Sequence, residues 1–215
     1  MGREIELKIP LSQTEYDFIK NIIYSKEKIA GISFLSKPEF LIKQDQYYSR
    51  YNSYEERLQN NEAQCIRLRS EAVYPDSSLS GAGDCKEEKS YFTIKRKTYK
   101  DGMEVNWEDE TFVENAGVIR ELFSEAGYNC WFTKEKQSHS LYCKTEDFDE
   151  LSLHCELVYV NNLLYVEVEI TDENISTEKA QAALNHFVSL LKLDPAKKDV
   201  RSWKQIIRDN SPNNS

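Results

Sequence analysis

Glu4-Ile5-Glu6-Leu7-Lys8 alternates charged and apolar residues with a period of two, and the same alternation returns along the chain with its charges sorted by sign. A period of two is that of a β-strand, whose successive side chains point to opposite faces. Arg67 and Arg69 oppose Ile66 and Leu68; Thr93, Lys95 and Lys97 oppose Phe92 and Ile94. Glu108 and Glu110 oppose Trp107, and Glu167 and Glu169 oppose Val166, Val168 and Ile170. An ordinary sheet would turn such polar faces to water. Like charges side by side on one face repel, however, so repeated sorting implies that something else neutralises them. A closed antiparallel barrel with a polar lumen, its apolar outer face covered by amphipathic helices, accounts for both features. Eight strands leave room inside for side chains and one small ligand. Enclosed carboxylates require cations and enclosed lysines and arginines require anions, needs that divalent metals and phosphates would meet.

The bulk numbers agree with that architecture. The 215 residues fit one large all-β unit, and 40% hydrophobic residues suffice for a core. The net charge of −9 argues against a nucleic-acid backbone as partner, although an acidic protein binds an anion where its cations are gathered. The five cysteines, Cys65, Cys85, Cys130, Cys143 and Cys155, are odd in number and lack C-x-x-C spacing, which disfavours a disulfide framework or structural zinc. Free thiols point to a reducing compartment. With no apolar run long enough to cross a bilayer, the expectation is a soluble cytoplasmic protein with no membrane association and no obligate protein partner.

Along the chain, Ser12 and Glu15 form a capping box ahead of a helical stripe, Phe18, Ile19, Ile22 and Ile23, running to about Lys28. Strands are expected over Phe40–Tyr51 and Ala63–Glu71. Residues 73–89, rich in Ser, Gly and Asp, read as a flexible loop. A hairpin then spans Tyr91–Tyr99 and Met103–Val113 across Lys100-Asp101-Gly102. A helix over Asn115–Ala126 stops at Gly127. Residues 129–145 make one long or two short strands, and Leu153–Val160 and Leu163–Thr171 a last hairpin across Asn161-Asn162. Helices over Ser176–Leu191 and Ser202–Arg208 complete a single domain, 1–209, with about eight strands and three or four helices. A disordered tail, 210–215, follows. His139, His154 and His186 have no ligand spacing and are expected to be structural or exposed.

Taken in order, these segments resemble the CYTH superfamily, the triphosphate tunnel metalloenzymes, from about residue 3 to 208. Glu4-Ile5-Glu6-Leu7-Lys8 has the opening E-x-E-x-K form. Gln44 to Tyr48 is similar to the family's second strand, Cys65-Ile66-Arg67-Leu68-Arg69 to its two-arginine strand, and Phe92 to Lys95 to its lysine strand. Trp107 to Glu110 resembles the acidic strand, Lys134-Glu135-Lys136 the basic one, and Tyr165 to Glu169 the closing metal strand. Arg201-Ser202-Trp203 stands where the family has Ser-Tyr before its last helix. The chain departs from the pattern at Asn106, where many members carry arginine, at Lys136 and Glu156, and in a longer 73–89 segment; Lys97 or Lys134 is expected to supply the missing charge.

The resemblance implies an α+β fold with an eight-stranded antiparallel barrel and a metal-dependent triphosphatase releasing diphosphate and orthophosphate. Its metal ligands would be Glu4, Glu6, Glu167 and Glu169, assisted by Glu156, Glu108 and Glu110, holding two Mg²⁺ or Mn²⁺ ions through hard carboxylate oxygens. Lys8, Arg67, Arg69, Lys95, Lys97, Lys134 and Lys136 would bind the phosphate chain, with Glu4, Glu6, Lys8 and Lys95 closest to the chemistry. The partner is a small-molecule triphosphate: inorganic tripolyphosphate, a nucleoside triphosphate or thiamine triphosphate. A class IV adenylyl cyclase, making cyclic AMP and pyrophosphate from ATP, is the alternative. A non-catalytic polyphosphate or nucleotide sensor is a second one, disfavoured because binding alone needs no cluster of metal carboxylates.

Overall fold

The alternating segments close into a barrel. The computed structural model describes residues 2–25, 29–60, 62, 64–75, 85–100 and 103–211. Its strands are β1 (Gly2–Pro10), β2 (Ile32–Phe34), β3 (Glu39–Ser49), β4 (Gln64–Pro75), β5 (Glu87–Lys100), β6 (Met103–Phe112), β7 (Asn129–Thr145), β8 (Phe148–Val160) and β9 (Leu163–Thr171). They pair antiparallel in the order β2-β7-β3-β4-β5-β6-β1-β9-β8, and β8 returns to β7 to close a ring of eight, with β2 outside it. At 17 residues, β7 is long enough to serve three partners: β3 and then β2 along one edge, β8 along the other.

Among the described residues, five α-helices surround the ring: α1 (Gln13–Tyr24), α2 (Tyr54–Gln59), α3 (Ala116–Glu125), α4 (Thr177–Leu190) and α5 (Trp203–Asp209). The expected capping box opens α1: the Ser12 hydroxyl accepts from the Glu15 backbone N–H and the Glu15 carboxylate accepts from the Ser12 N–H. α3 ends just before Gly127, whose φ of 75° suits a residue without Cβ. The β8–β9 turn puts both Asn161 and Asn162 at positive φ, 49° and 65°, the geometry of a tight primed hairpin turn.

Both faces of β1 and β9 are buried. Ile5, Leu7, Ile9, Val166, Val168 and Ile170 turn outward, at 0–2% exposure, into one core with Ile19 and Ile23 of α1 and Ala180, Ala183, Leu184 and Phe187 of α4. A smaller cluster sets Phe123 of α3 against Tyr48, Ile66 and Leu68. No helix among the described residues is long and apolar enough to cross a membrane.

Two expectations change. The segment 73–89 is largely hairpin at its ends: β4 runs to Pro75, β5 starts at Glu87, and Val73 pairs with Glu87. Loop-like composition does not prevent pairing where backbone groups find ladder partners; the middle of that segment lies outside the described residues. β2 and α2, three and six residues long, are too short to show a period and were not expected. The Asp101-Gly102 turn, residues 26–28 and the end of the tail (212–215) also lie outside the described residues.

Candidate active site

Strand parity sends the charged residues inward. With Ile5, Leu7 and Ile9 packed on the helices, Glu4, Glu6 and Lys8 point into the ring, and the register carries that choice to every neighbour. The lumen is a cavity of about 820 Å³. All of the site residues expected from the sequence line it: Glu4, Glu6, Lys8, Arg67, Arg69, Lys95, Lys97, Glu108, Glu110, Lys134, Lys136, Glu156, Glu167 and Glu169. Lys43, Glu71, Glu104, His154 and Lys204 line it as well and were not expected there. His154 was read as structural or exposed; instead it faces the lumen, bound to Glu169 Oε1 at 2.8 Å and to Ser140 Oγ at 2.7 Å.

Carboxylates dominate the wall formed by β6, β1 and β9. Lys8 Nζ donates to Glu6 at 3.1 Å and to Glu104 at 2.9 Å, and Glu104 also pairs with Lys97 at 2.5 Å. Lys95 bridges Glu108 and, at 3.6 Å, Glu4. These cations neutralise unevenly. Burial, then the Glu169 charge, pushes the Glu4 carboxyl up to about 9. Burial also pushes Glu6 up to about 7, despite Lys8. Glu108 faces the same burial but has Lys95 and Arg67 beside it and falls to about 2. Negative charge around Glu4 and Glu6 thus exceeds what the lysines answer.

Cations dominate the opposite wall, β3, β4 and β7. Arg69 grips Asp45 with two parallel hydrogen bonds, at 2.7 and 3.0 Å, and Lys134 reaches the same carboxylate at 3.1 Å. Lys136 spans Glu156 at 2.5 Å and Glu167 at 2.7 Å, and Lys43 holds Glu156 at 2.6 Å. Arg67 donates to Thr93 Oγ1 and Glu110, both at 3.0 Å, while its Nε is buried with no hydrogen-bond partner. Burial and neighbouring lysines bring Lys97 and Lys134 down to about 8, because each shares its carboxylate with other cations.

One end of the cavity is covered by α5 and α2. The Trp203 indole N–H donates to Glu167, its ring meets Tyr165 edge-on at 4.9 Å, and Arg57 of α2 lies 4.4 Å over Trp131. The other end carries an exposed rim that includes Glu39, Glu87 and Tyr142, with Tyr142 stacked on His154 at 4.8 Å.

The donor set suits a divalent metal in type and in charge: hard carboxylate oxygens, with an excess of negative charge at Glu4 and Glu6. Among the described residues, no three carboxylate, imidazole or thiol groups already converge as a ligand set, because the carboxylates lean on lysines.

No protein-family model and no curated protein sequence matches the chain. Solved structures do. A Pyrococcus horikoshii protein superposes with a TM-score of 0.65 at 14% identity, over 97% of this chain and 99% of that one. A provisionally assigned adenylate cyclase from Vibrio parahaemolyticus gives 0.58 at 16% identity, over 95% and 97%. A provisionally assigned adenylyl cyclase from Hippeastrum with a dominant triphosphatase activity gives 0.57 at 13% identity, over 98% and 97%. At these identities the likeness is one of architecture: the chain has the triphosphate-tunnel, or CYTH-type, fold.

Proposed function

We propose that the tunnel hydrolyses a triphosphate to diphosphate and orthophosphate with Mg²⁺ or Mn²⁺. The observation that carries this reading is the pairing of an under-neutralised carboxylate wall with a facing wall of arginines and lysines inside one cavity. A polyphosphate–metal complex carries both charges that such a cavity lacks. Arg67 and Arg69 offer planar forks for phosphate oxygens, and Lys134 and Lys136 add point charges. Glu4, Glu6 and Glu169 would hold the ion, with Glu108, Glu110, Glu156 and Glu167 supporting. When bound, the ion offsets charge developing on phosphate oxygens. Lys8 and Lys95 fix the carboxylates, and a carboxylate of this wall would orient the attacking water. The substrate class comprises inorganic tripolyphosphate, nucleoside triphosphates and thiamine triphosphate. Five free cysteines agree with a cytoplasmic setting.

Tyr142 on its His154 stack supports a second reading, a class IV adenylyl cyclase, since an aromatic face at the rim would suit a base. Product analysis with purified protein, Mg²⁺ or Mn²⁺, and either tripolyphosphate or ATP separates the two. Orthophosphate from tripolyphosphate, abolished by chelator and restored by metal, is the expected result. Cyclic AMP with stoichiometric pyrophosphate and no turnover of tripolyphosphate would replace the hydrolase by the cyclase. Full turnover in excess chelator would remove the metal from either.

A further inference from the structure

One acceptor in the acidic wall has nothing to accept from. Asn106 lies on β6 between Glu104 and Glu108 and shares their strand parity, so its side chain turns inward with theirs. It is fully buried, and its Oδ1 has no hydrogen-bond partner. The amide is fixed from its other side, where Nδ2 donates to Glu104 Oε1 at 3.0 Å. Turning the amide over would set its oxygen against that carboxylate, so Oδ1 remains the orphan. A buried acceptor left unpaired is costly, and something that is not protein would relieve it.

The neighbours of Asn106 narrow what that is. Glu104 is already satisfied, by Lys97 and Asn106 at Oε1 and by Lys8 at Oε2. Across the two ladders Asn106 pairs with Glu4 of β1 and with Lys97 of β5. Lys97 is drawn to Glu104 instead, at 2.5 Å, and Glu4 leans on Lys95 at 3.6 Å. Paired residues on one face stand about 5 Å apart at Cβ, so Glu4 and the orphan oxygen are within reach of a common partner. An amide oxygen repels phosphate oxygens, which excludes the triphosphate itself. It suits a cation: a hard, neutral oxygen is one that Mg²⁺ or Mn²⁺ accepts beside carboxylates. Arginine at this position, as in the family pattern, would offer donors only.

We propose that Asn106 Oδ1 is a ligand of the divalent ion beside Glu4, so that a neutral amide from β6 joins the carboxylates of β1. The proposal rests on the metal-dependent reading of the tunnel. Asn106 has one other role open to it, to hold Glu104 in place through Nδ2, and two substitutions separate the roles. Aspartate keeps an oxygen at the position but cannot donate to Glu104; leucine, of similar size, does neither.

Mn²⁺ binding to the full chain, without any triphosphate, is measured by the electron paramagnetic resonance signal of free Mn²⁺ for wild type, Asn106→Asp and Asn106→Leu. Asn106→Leu should bind Mn²⁺ about tenfold to a hundredfold more weakly. Asn106→Asp should bind it at least as tightly as wild type. Mn²⁺ should accordingly raise the melting temperature of wild type and of Asn106→Asp, and raise that of Asn106→Leu less. Wild-type affinity in Asn106→Leu overturns the assignment and leaves the metal reading standing. Equal weakening in both variants also overturns it, because the residue then acts through Glu104 alone. Asn106→Ala repeats the test if the leucine variant does not fold. Absence of Mn²⁺ and Mg²⁺ binding by wild type overturns the metal reading itself and this assignment with it.

Discussion

The β1–β9 wall and the β4–β5 wall of the lumen carry opposite charge, and they are backed in opposite ways. Behind Glu4, Glu6, Glu167 and Glu169 lie Ile5, Leu7, Val166 and Val168, at 0–2% exposure, under two helices. Behind Arg67, Arg69, Lys95 and Lys97 lie Ile66 and Leu68 under α3, then the partly exposed Phe92 and Ile94, and on β6 beside them Trp107 at 38% exposure. α3 also leaves Val118 and Leu122 exposed. Carboxylates crowded on short stems repel and depend on a backbone that cannot yield. Long arginine and lysine side chains find partners by bending, so a lighter backing suffices. The thick core thus stands behind the residues whose clustering is least favourable.

That comparison breaks most readily at the core. Leu184→Ala on α4 should cost about 2–5 kcal/mol, since a fully buried leucine leaves a cavity. Leu122→Ala on α3 should stay within about 0.5 kcal/mol. Denaturant unfolding of both variants measures the contrast, and equal losses would show that the two walls are backed alike. Next in size is the acidic wall itself. Glu6→Gln should lower tripolyphosphate turnover with Mg²⁺ by roughly two to three orders of magnitude, the range for removing one charge-stabilising group from an enclosed site. Glu125→Gln, exposed on α3, should leave turnover unchanged. Similar rates for the two variants would place the chemistry on another face.

The cationic wall should respond less. Arg67→Ala should weaken tripolyphosphate binding by about 1.5–3 kcal/mol, and Arg96→Ala, its exposed neighbour on the outer face of β5, by almost nothing. Tripolyphosphate should accordingly raise the melting temperature of Arg96→Ala as it does that of wild type, and raise that of Arg67→Ala less. Equal ligand-induced shifts would mean that Arg67 serves only its Glu110 and Thr93 contacts.

How far the site was legible follows from the same physics. Glu4, Glu6, Arg67 and Glu167 could be read because period-two alternation assigns a face without knowledge of partners. Glu104 lies on the same parity as Glu108 and Glu110, so counting back along β6 would have found it; the acidic pair alone drew notice. Lys43 and Asp45 share parity with Tyr47, but polar Gln44 and Gln46 between them hide the alternation. Lys204 could not be read from pattern, because its place depends on α5 covering the barrel end, a tertiary fact. His154 was misjudged for a related reason. Metal-ligand spacing is one way for histidine to join a site, and pairing across a ladder with Glu169 leaves no local spacing at all.

The smallest effect tests the outer side of the barrel through His139. This residue lies on β7 with its side chain away from the lumen, 4% exposed, its Nδ1 2.7 Å from the Tyr24 hydroxyl of α1 and its ring 5.2 Å from that of Phe40. Burial, aided by the Lys20 charge, depresses its pKa to about 4, against an ordinary 6.5. The folded protein thus binds fewer protons at this site than the unfolded chain between those two values. Stability from keeping His139 neutral is complete above about pH 6.5 and is lost as pH falls from there through about 4. Lumen carboxylates titrate in an overlapping range, so the wild-type profile alone does not isolate the imidazole. The difference between wild type and His139→Gln does, because glutamine keeps a polar partner for Tyr24 and takes up no proton. The melting temperature of wild type should fall more between pH 7 and pH 5 than that of the variant, by on the order of 2 °C for a chain of this size. Parallel profiles would mean that the ring is solvated in solution, and that the packing of α1 over β7 is as loose as that of α3 over β5.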